Sequence, residues 1–255
     1  MDDVKVIFFE QPKLNNTIMI EGLPGIGLVG KLAADHMLDE IKAKKFAEIY
    51  SPYLPPQVMI KDDGTVKLVN MELYYHKREG GDIILLIGDF QGITPESQYN
   101  LAEKTIEVGK KFNLKRIFTL GGLGTGNITR NPKVFGAATD LKLVKEFEKY
   151  GIIFKGGGAI FGASGLLLGL GMQHNIEAVC LMGETHGQII DAKSAEAVLD
   201  VLTKILDIEI DMSALAEKAK ETEKQLSKIS KMLSTQKQLE DSQQKFLDES
   251  PYYIR

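Results

Sequence analysis

The 255-residue chain is 44% hydrophobic and 26% charged, enough for one large α/β domain or for a domain with an appendage. A formal charge of −4 gives no electrostatic reason to expect nucleic acid as a partner, and a single cysteine excludes a disulfide framework or cysteine metal site within one chain. The opening "MDDVKVIFFEQP" is acidic where a signal peptide would be basic, and no apolar run approaches the ~20 residues that span a bilayer. A cytoplasmic protein with no membrane partner is the expectation.

In chain order, strands are predicted at 4–10 and 17–23, then a helix near 27–42 and a strand at 46–51. "VMIKDDGTVKLVNMELYYH" forms a hairpin about Asp63-Gly64. Next come a strand at 82–89 and a helix near 95–112, where Thr94 caps, Pro95 suits the first helical position and Glu96 complements the dipole. A strand at 116–122, a helix near 140–149, a strand at 151–157, a helix near 163–173 and a strand at 176–184 follow. The last helix, near 194–206, places Ala195, Val198, Leu199, Leu202, Ile205 and Leu206 on one face. Several strands are continuously apolar, as in a sheet covered on both faces. The fold class is therefore α/β, a mostly parallel central sheet flanked by helices.

All 25 glycines lie between 22 and 187, and the chain turns helical and polar from Asp211. That shift divides it into an α/β domain, 1–210, and a helical or coiled-coil extension, 211–255. In the extension Leu215, Ala219, Thr222, Leu226, Ile229 and Leu233 alternate spacings of four and three, a seam of about three heptads. The seam fails at Gln236 and Glu240, and Met232, Leu239 and Phe246 form a second stripe. One long helix and a helical hairpin both satisfy this pattern.

"EGLPGIGLVGKLAADHM" (21–37) carries two overlapping phosphate signatures. Gly25, Gly27 and Gly30 spell G-x-G-x-x-G in the strand–turn–helix context of a dinucleotide site. Gly25 to Lys31 spell most of a P-loop, but Leu32 stands where a hydroxyl should hold magnesium. Glu48 lies inside its strand rather than at the end that meets a ribose, and Asp89 ends a passable metal-holding strand. Tight packing of the helix under a strand explains the glycines equally well, and that explanation is preferred.

Other candidates are weaker. His186, beside Glu184 in "GETHGQ", is the best-placed of four histidines for a base or ligand, although a satisfied loop histidine is favoured. Ser164 in "GASGL" departs from G-x-S-x-G and is expected to cap a helix. "GGLGTGNITRNPKVFG", with Arg130 and Lys133, is a polar loop suited to a ligand or a subunit contact. No acid, base and nucleophile converge, so no catalytic residue, cofactor or metal is assigned.

Taken together, "GLPGIGLVG" (22–30), "LGGLGTG" (120–126), "GGAIFGASGLLLGLG" (157–171) and "LMGET" (181–185) resemble the proteasome-assembly chaperone family in its archaeal branch, in order and spacing over about 5–210. The resemblance implies a phosphorylase-like or hydrolase-like α/β fold without shared catalysis. It also implies homo-oligomers that bind proteasome α subunits. An older label ties some members to ATP-grasp ligases; no residue here supports it, and a nucleotide-binding enzyme using the Gly25–Gly30 turn is kept as the alternative. In "SPYYIR", Tyr252, Tyr253, Ile254 and Arg255 are the candidate partner-binding residues. Proteasome activators end in hydrophobic–Tyr–any residue; Tyr252-Tyr253-Ile254 matches that pattern, but Arg255 follows it.

Overall fold

The computed structural model describes residues 4–127 and 129–222. The elements run β1 (Lys5–Phe8), β2 (Thr17–Gly22), α1 (Val29–Glu40), β3 (Lys44–Tyr50), β4 (Val58–Ile60), β5 (Val66–Leu68), β6 (Met71–His76), β7 (Ile83–Gly88) and α2 (Pro95–Lys111). They continue through β8 (Leu114–Gly124), β9 (Val134–Ala138), α3 (Leu141–Phe147), β10 (Ile153–Phe154), α4 (Gly162–Gln173), β11 (Glu177–Thr185) and α5 (Ala192–Leu206). Nine strands form one sheet in the order β1-β3-β6-β7-β2-β8-β11-β9-β10.

The α/β class is as the sequence implies. Its parallel part is the central run β7-β2-β8-β11, while β1, β3 and β6 on one side and β9 on the other pair antiparallel. The central strands are buried on both faces: β7 reads IILLIG with every residue inside. One face packs on α2 and α4 through Met19, Leu86, Ile106, Leu167 and Cys180. The other packs on α1, α3 and α5 through Ile20, Met37, Phe118, Phe147 and Leu199. Phe118 and Phe147 meet edge to face at 5.6 Å.

Local chemistry sets the boundaries. Thr94 caps α2, accepting from Ser97 N–H at 3.1 Å while the Thr94 N–H donates to Ser97 Oγ at 2.9 Å. Asp140 and Asp191 cap α3 and α5 in the same way, accepting from Leu143 and Ser194 N–H. The Asp63-Gly64 hairpin forms as β4–β5, a separate two-stranded sheet, before the chain re-enters the main sheet as β6. β9 lies where the sequence suggests only loop. Its central Gly136 weakens strand propensity yet is required there: a Cβ would sit 2.6 Å from Ile152 Cγ2.

The described residues after Asp211 pack on α1 and α5. Residues 213–222 are helical, and Leu215 and Ala219, the first two seam positions, are buried in the same core cluster as α1 and α5. His36 Nε2 donates to the Asp211 carbonyl at 2.7 Å, and the Asp211 N–H donates to Glu40 Oε2 at 3.1 Å. Leu226, Ile229, Leu233 and the second stripe lie outside the described residues, as do Tyr252, Tyr253, Ile254 and Arg255.

Candidate functional site

β2 lies between β7 and β8, so its glycine turn opens at the middle of the carboxyl edge of the parallel strands, where α/β sheets bind ligands. The geometry assigns the glycines to packing. A Cβ on Gly22 would meet Ala34 Cβ at 2.1 Å, and one on Gly30 would meet the Leu120 carbonyl oxygen at 2.0 Å. Gly27 takes φ +64° in the tight turn before α1, and Leu28 follows at φ +51°. Lys31, the lysine of the P-loop-like run, is held by two carboxylates, Asp35 at 2.9 Å and Asp89 at 3.1 Å. Burial works against its ammonium, but both acids more than offset this and hold its pKa above the ordinary value. The same contact engages Asp89, the candidate metal-holding acid. Glu48 is likewise engaged, by Lys45 at 3.1 Å and the Tyr50 hydroxyl at 2.7 Å.

Ser164 does not cap its helix. Phe161 occupies the N-cap of α4 without a side-chain bond, and Ser164 Oγ instead donates to Glu21 Oε2 at 2.8 Å. Glu21 sits fully buried near the end of β2, where its Oε1 also accepts the Leu23 N–H at 3.0 Å. Burial pushes this carboxyl up to about 7, and the two donors offset only part of that push. Gln91 stitches the same edge together: its Nε2 donates to the Pro24 carbonyl at 2.7 Å and its Oε1 accepts from Ala163 N–H at 3.0 Å. The sequence gives no local sign of either role. Glu184 is tied to the 125–133 loop, its N–H donating to the Lys133 carbonyl at 2.8 Å. His186 follows at the same edge with no hydrogen-bonding partner for Nδ1 among the described residues. His174 caps the carboxyl end of α4 and contacts Glu103 at 2.8 Å. Among the described residues, no three His, Cys, Asp or Glu side chains are placed to hold a metal ion.

What the edge presents instead is apolar surface. Ile26 of the glycine turn, Ile93 and Tyr99 at the start of α2, Phe161 at the start of α4 and Ile190 before α5 are all exposed. Ile93, Pro95, Tyr99, Ile160, Phe161 and Leu166 line a groove between the amino-terminal ends of α2 and α4. Met71 pairs with Gly88 at the carboxyl end of β7, so the β4–β5 hairpin just before it projects from the same edge. A polar ligand site draws donors and acceptors inward; this edge offers greasy side chains outward.

Residues 19–230 match the model of the PAC2 family. The chain belongs to the PAC2 family. Its fold superposes on Pyrococcus furiosus PbaB, an archaeal proteasome activator, with a TM-score of 0.85 and 41% identity, covering 90% of this chain and all of that one. Pyrococcus furiosus PbaA, an archaeal homolog of proteasome-assembly chaperone, gives a TM-score of 0.74 and 28% identity over 92% of this chain and 99% of that chain. An uncharacterized protein of Methanocaldococcus jannaschii is 42% identical over 219 residues, 86% of this chain and 84% of the relative. The resemblance drawn from the glycine motifs is thus correct: the relatives are archaeal, and this PAC2 chain shares its fold with proteasome-assembly chaperone homologues. No helix among the described residues is long and apolar enough to cross a membrane.

Proposed function

We propose that this protein is a non-catalytic, homo-oligomeric cytoplasmic factor that binds the α subunits of the proteasome core particle, in assembly or regulation. The likeness to PbaB over nine-tenths of the chain is the observation that carries this reading. The apolar carboxyl edge supports it, because such surface suits protein contacts. In this reading the 1–210 domain and the 211–255 extension divide the labour, and Tyr252, Tyr253, Ile254 and Arg255 form the docking tail. Aromatic and aliphatic anchors dominate interface energetics, and an oligomer multiplies a weak single-tail affinity through effective concentration. Deleting residues 251–255 is expected to abolish capture of the core particle without changing fold or oligomer mass. Tyr253→Ala should cause most of that loss, and removing Arg255, which leaves a hydrophobic–Tyr–any end, should strengthen capture. Capture by the deletion variant at wild-type level would move the interaction to the globular surface.

The alternative, a Rossmann-like or ATP-grasp-like nucleotide enzyme using the Gly25–Gly30 turn, is disfavoured by the engaged Lys31 and by Leu32. Calorimetry with ATP–magnesium and with NAD is expected to show no tight binding. A dissociation constant at or below about 10 µM, lost on Lys31→Ala, would reverse the ranking.

A further inference from the structure

Among the described residues, Glu21 is a fully buried carboxyl whose hydrogen bonds come from a hydroxyl and an amide, never from a cation. Glu72 of β6 shows the ordinary solution: burial opposes its charge, but Lys45 at 2.6 Å, Lys67 and the Tyr74 hydroxyl overcome this and hold its carboxyl down at about 2. Glu21 instead belongs to a polar row that crosses the sheet. In register it pairs with Thr119 of β8, which pairs with Cys180 of β11. Paired residues of parallel strands stand about 4.8 Å apart and point to the same face, here the one covered by α2 and α4. On its other side Glu21 pairs with the apolar Leu86 of β7. None of these neighbours is charged, and Cys180, the one that titrates, is pushed up by burial to about 12. Thr119 Oγ1 is buried and makes no hydrogen bond among the described residues, the Cys180 thiol beside it being a weak partner. A protonated Glu21 supplies the donor that this hydroxyl lacks. Burial raises the Glu21 carboxyl to about 7, so that proton comes and goes within the neutral range.

The same carboxyl tethers the start of a helix. The first turn of α4 is tied down by Ser164 Oγ, which donates to Glu21 at 2.8 Å, and by Ala163 N–H, which donates to Gln91 Oε1 at 3.0 Å. Phe161 at its N-cap makes no capping bond and is 85% exposed. Ahead of it residues 155–159 are exposed, and Gly157 and Gly158 take φ +91° and +102° with open space where a Cβ would point. Such a run serves as a hinge, since no side-chain packing breaks when it turns. One turn into the helix, Leu167, Leu168 and Leu170 are buried in the core and anchor the rest of it. We propose that Glu21 is a proton-controlled latch on the groove between α2 and α4. Protonated, it is satisfied by Thr119, Ser164 and the Leu23 N–H, and it holds the first turn of α4 against β2. Ionised, it is a buried anion with two neutral donors, and it raises the population in which that turn swings out about the glycines and water reaches the carboxylate. The groove wall formed by Phe161, Gly162 and Gly165 moves with it. The latch goes beyond the proteasome reading and does not depend on it, because it operates in the free chain.

Cys180 lies in the same polar row beneath α4 and is the chain's single cysteine, so its reaction with a small thiol reagent reads the opening in the full-length protein. Taking the ratio of wild-type to Glu21→Gln rates at each pH cancels the thiol's own titration. With the closed carboxyl at about 7 and the solvated one at 4.5, that ratio is expected to rise about 30-fold from pH 5.5 to pH 8.5. The wild-type rate at pH 8.5 should be insensitive to low urea, since a local opening exposes little surface. Hydrogen exchange locates the opening: relative to β7 residues 83–88, the amides of residues 166–168 should exchange faster in wild type than in Glu21→Gln at pH 8.5. A ratio that is flat with pH would overturn the proposal. So would a rise that comes through global unfolding, with labelling that accelerates in urea as unfolding does and residues 166–168 exchanging in step with β7.

Discussion

Gly30→Ala is expected to destabilise the protein by about 3 kcal/mol or more, while Gly25→Ala, five residues earlier in the same motif, should stay within about 0.5 kcal/mol. A Cβ on Gly30 would stand 2.0 Å from the Leu120 carbonyl oxygen and 2.6 Å from its carbon. Both are backbone atoms of β8, which is fixed by pairing with β2 on one side and β11 on the other. The strand has nowhere to go, so α1 must back away by about 1 Å to restore ordinary contact. That retreat loosens Val29, Ala33, Ala34 and Met37, all fully buried against the sheet. Gly25 has extended backbone at φ −149° and open space where its Cβ would point. Denaturant titration of the two variants beside wild type reads the contrast directly. Equal tolerance of both would mean that the motif is not a packing device.

The same contrast marks what the residues disclose one at a time. Helix α2 was legible because Thr94, Pro95 and Glu96 act on neighbours three or fewer residues away, as the observed capping box shows. The packing role of the glycines was legible as an option, but choosing it required the distance from Gly30 to a strand 90 residues later. Glu21 was hidden in an apolar strand, since its partner Ser164 lies 143 residues away and belongs to a glycine-rich run that suggested only a cap. The hairpin turn was plain from Asp63-Gly64, yet alternation of Val58, Ile60, Val66 and Leu68 reads the same whether that face is covered or bare. Exposure is a property of what stands opposite, and no local pattern encodes it. The β9 strand has no local signature for the related reason that its glycine serves a neighbour, Ile152, instead of its own propensity.

Glu21→Gln is expected to stabilise the protein by about 3 kcal/mol at pH 8 and to leave its stability at pH 4 unchanged. The folded carboxyl titrates at about 7 against an ordinary value of 4.5, because full burial penalises its charge more than Ser164 and Leu23 relieve it. Between those two values the folded state holds a proton that the unfolded state has released. Wild-type stability therefore falls as pH rises from 4.5 to about 7, and the loss is complete above that. Around the carboxyl, Thr119 pairs with Glu21 on β8, Ser164 reaches it from α4, and the buried Cys180 thiol on β11 is pushed up to about 12 and stays neutral throughout. Glu72 shifts the opposite way, so its contribution is lost only as pH falls from 4.5 toward about 2, outside this window. Glutamine keeps the shape and both contacts, accepting from Leu23 N–H and donating to Ser164 Oγ, with no charge to expel. Denaturant midpoints of both proteins across pH 4 to 9 isolate the effect, since every other group cancels in the difference. A difference that is flat with pH, or that favours wild type at pH 8, would mean that the Glu21 carboxylate is stabilised in place and that the end of β2 is wetter than its burial implies.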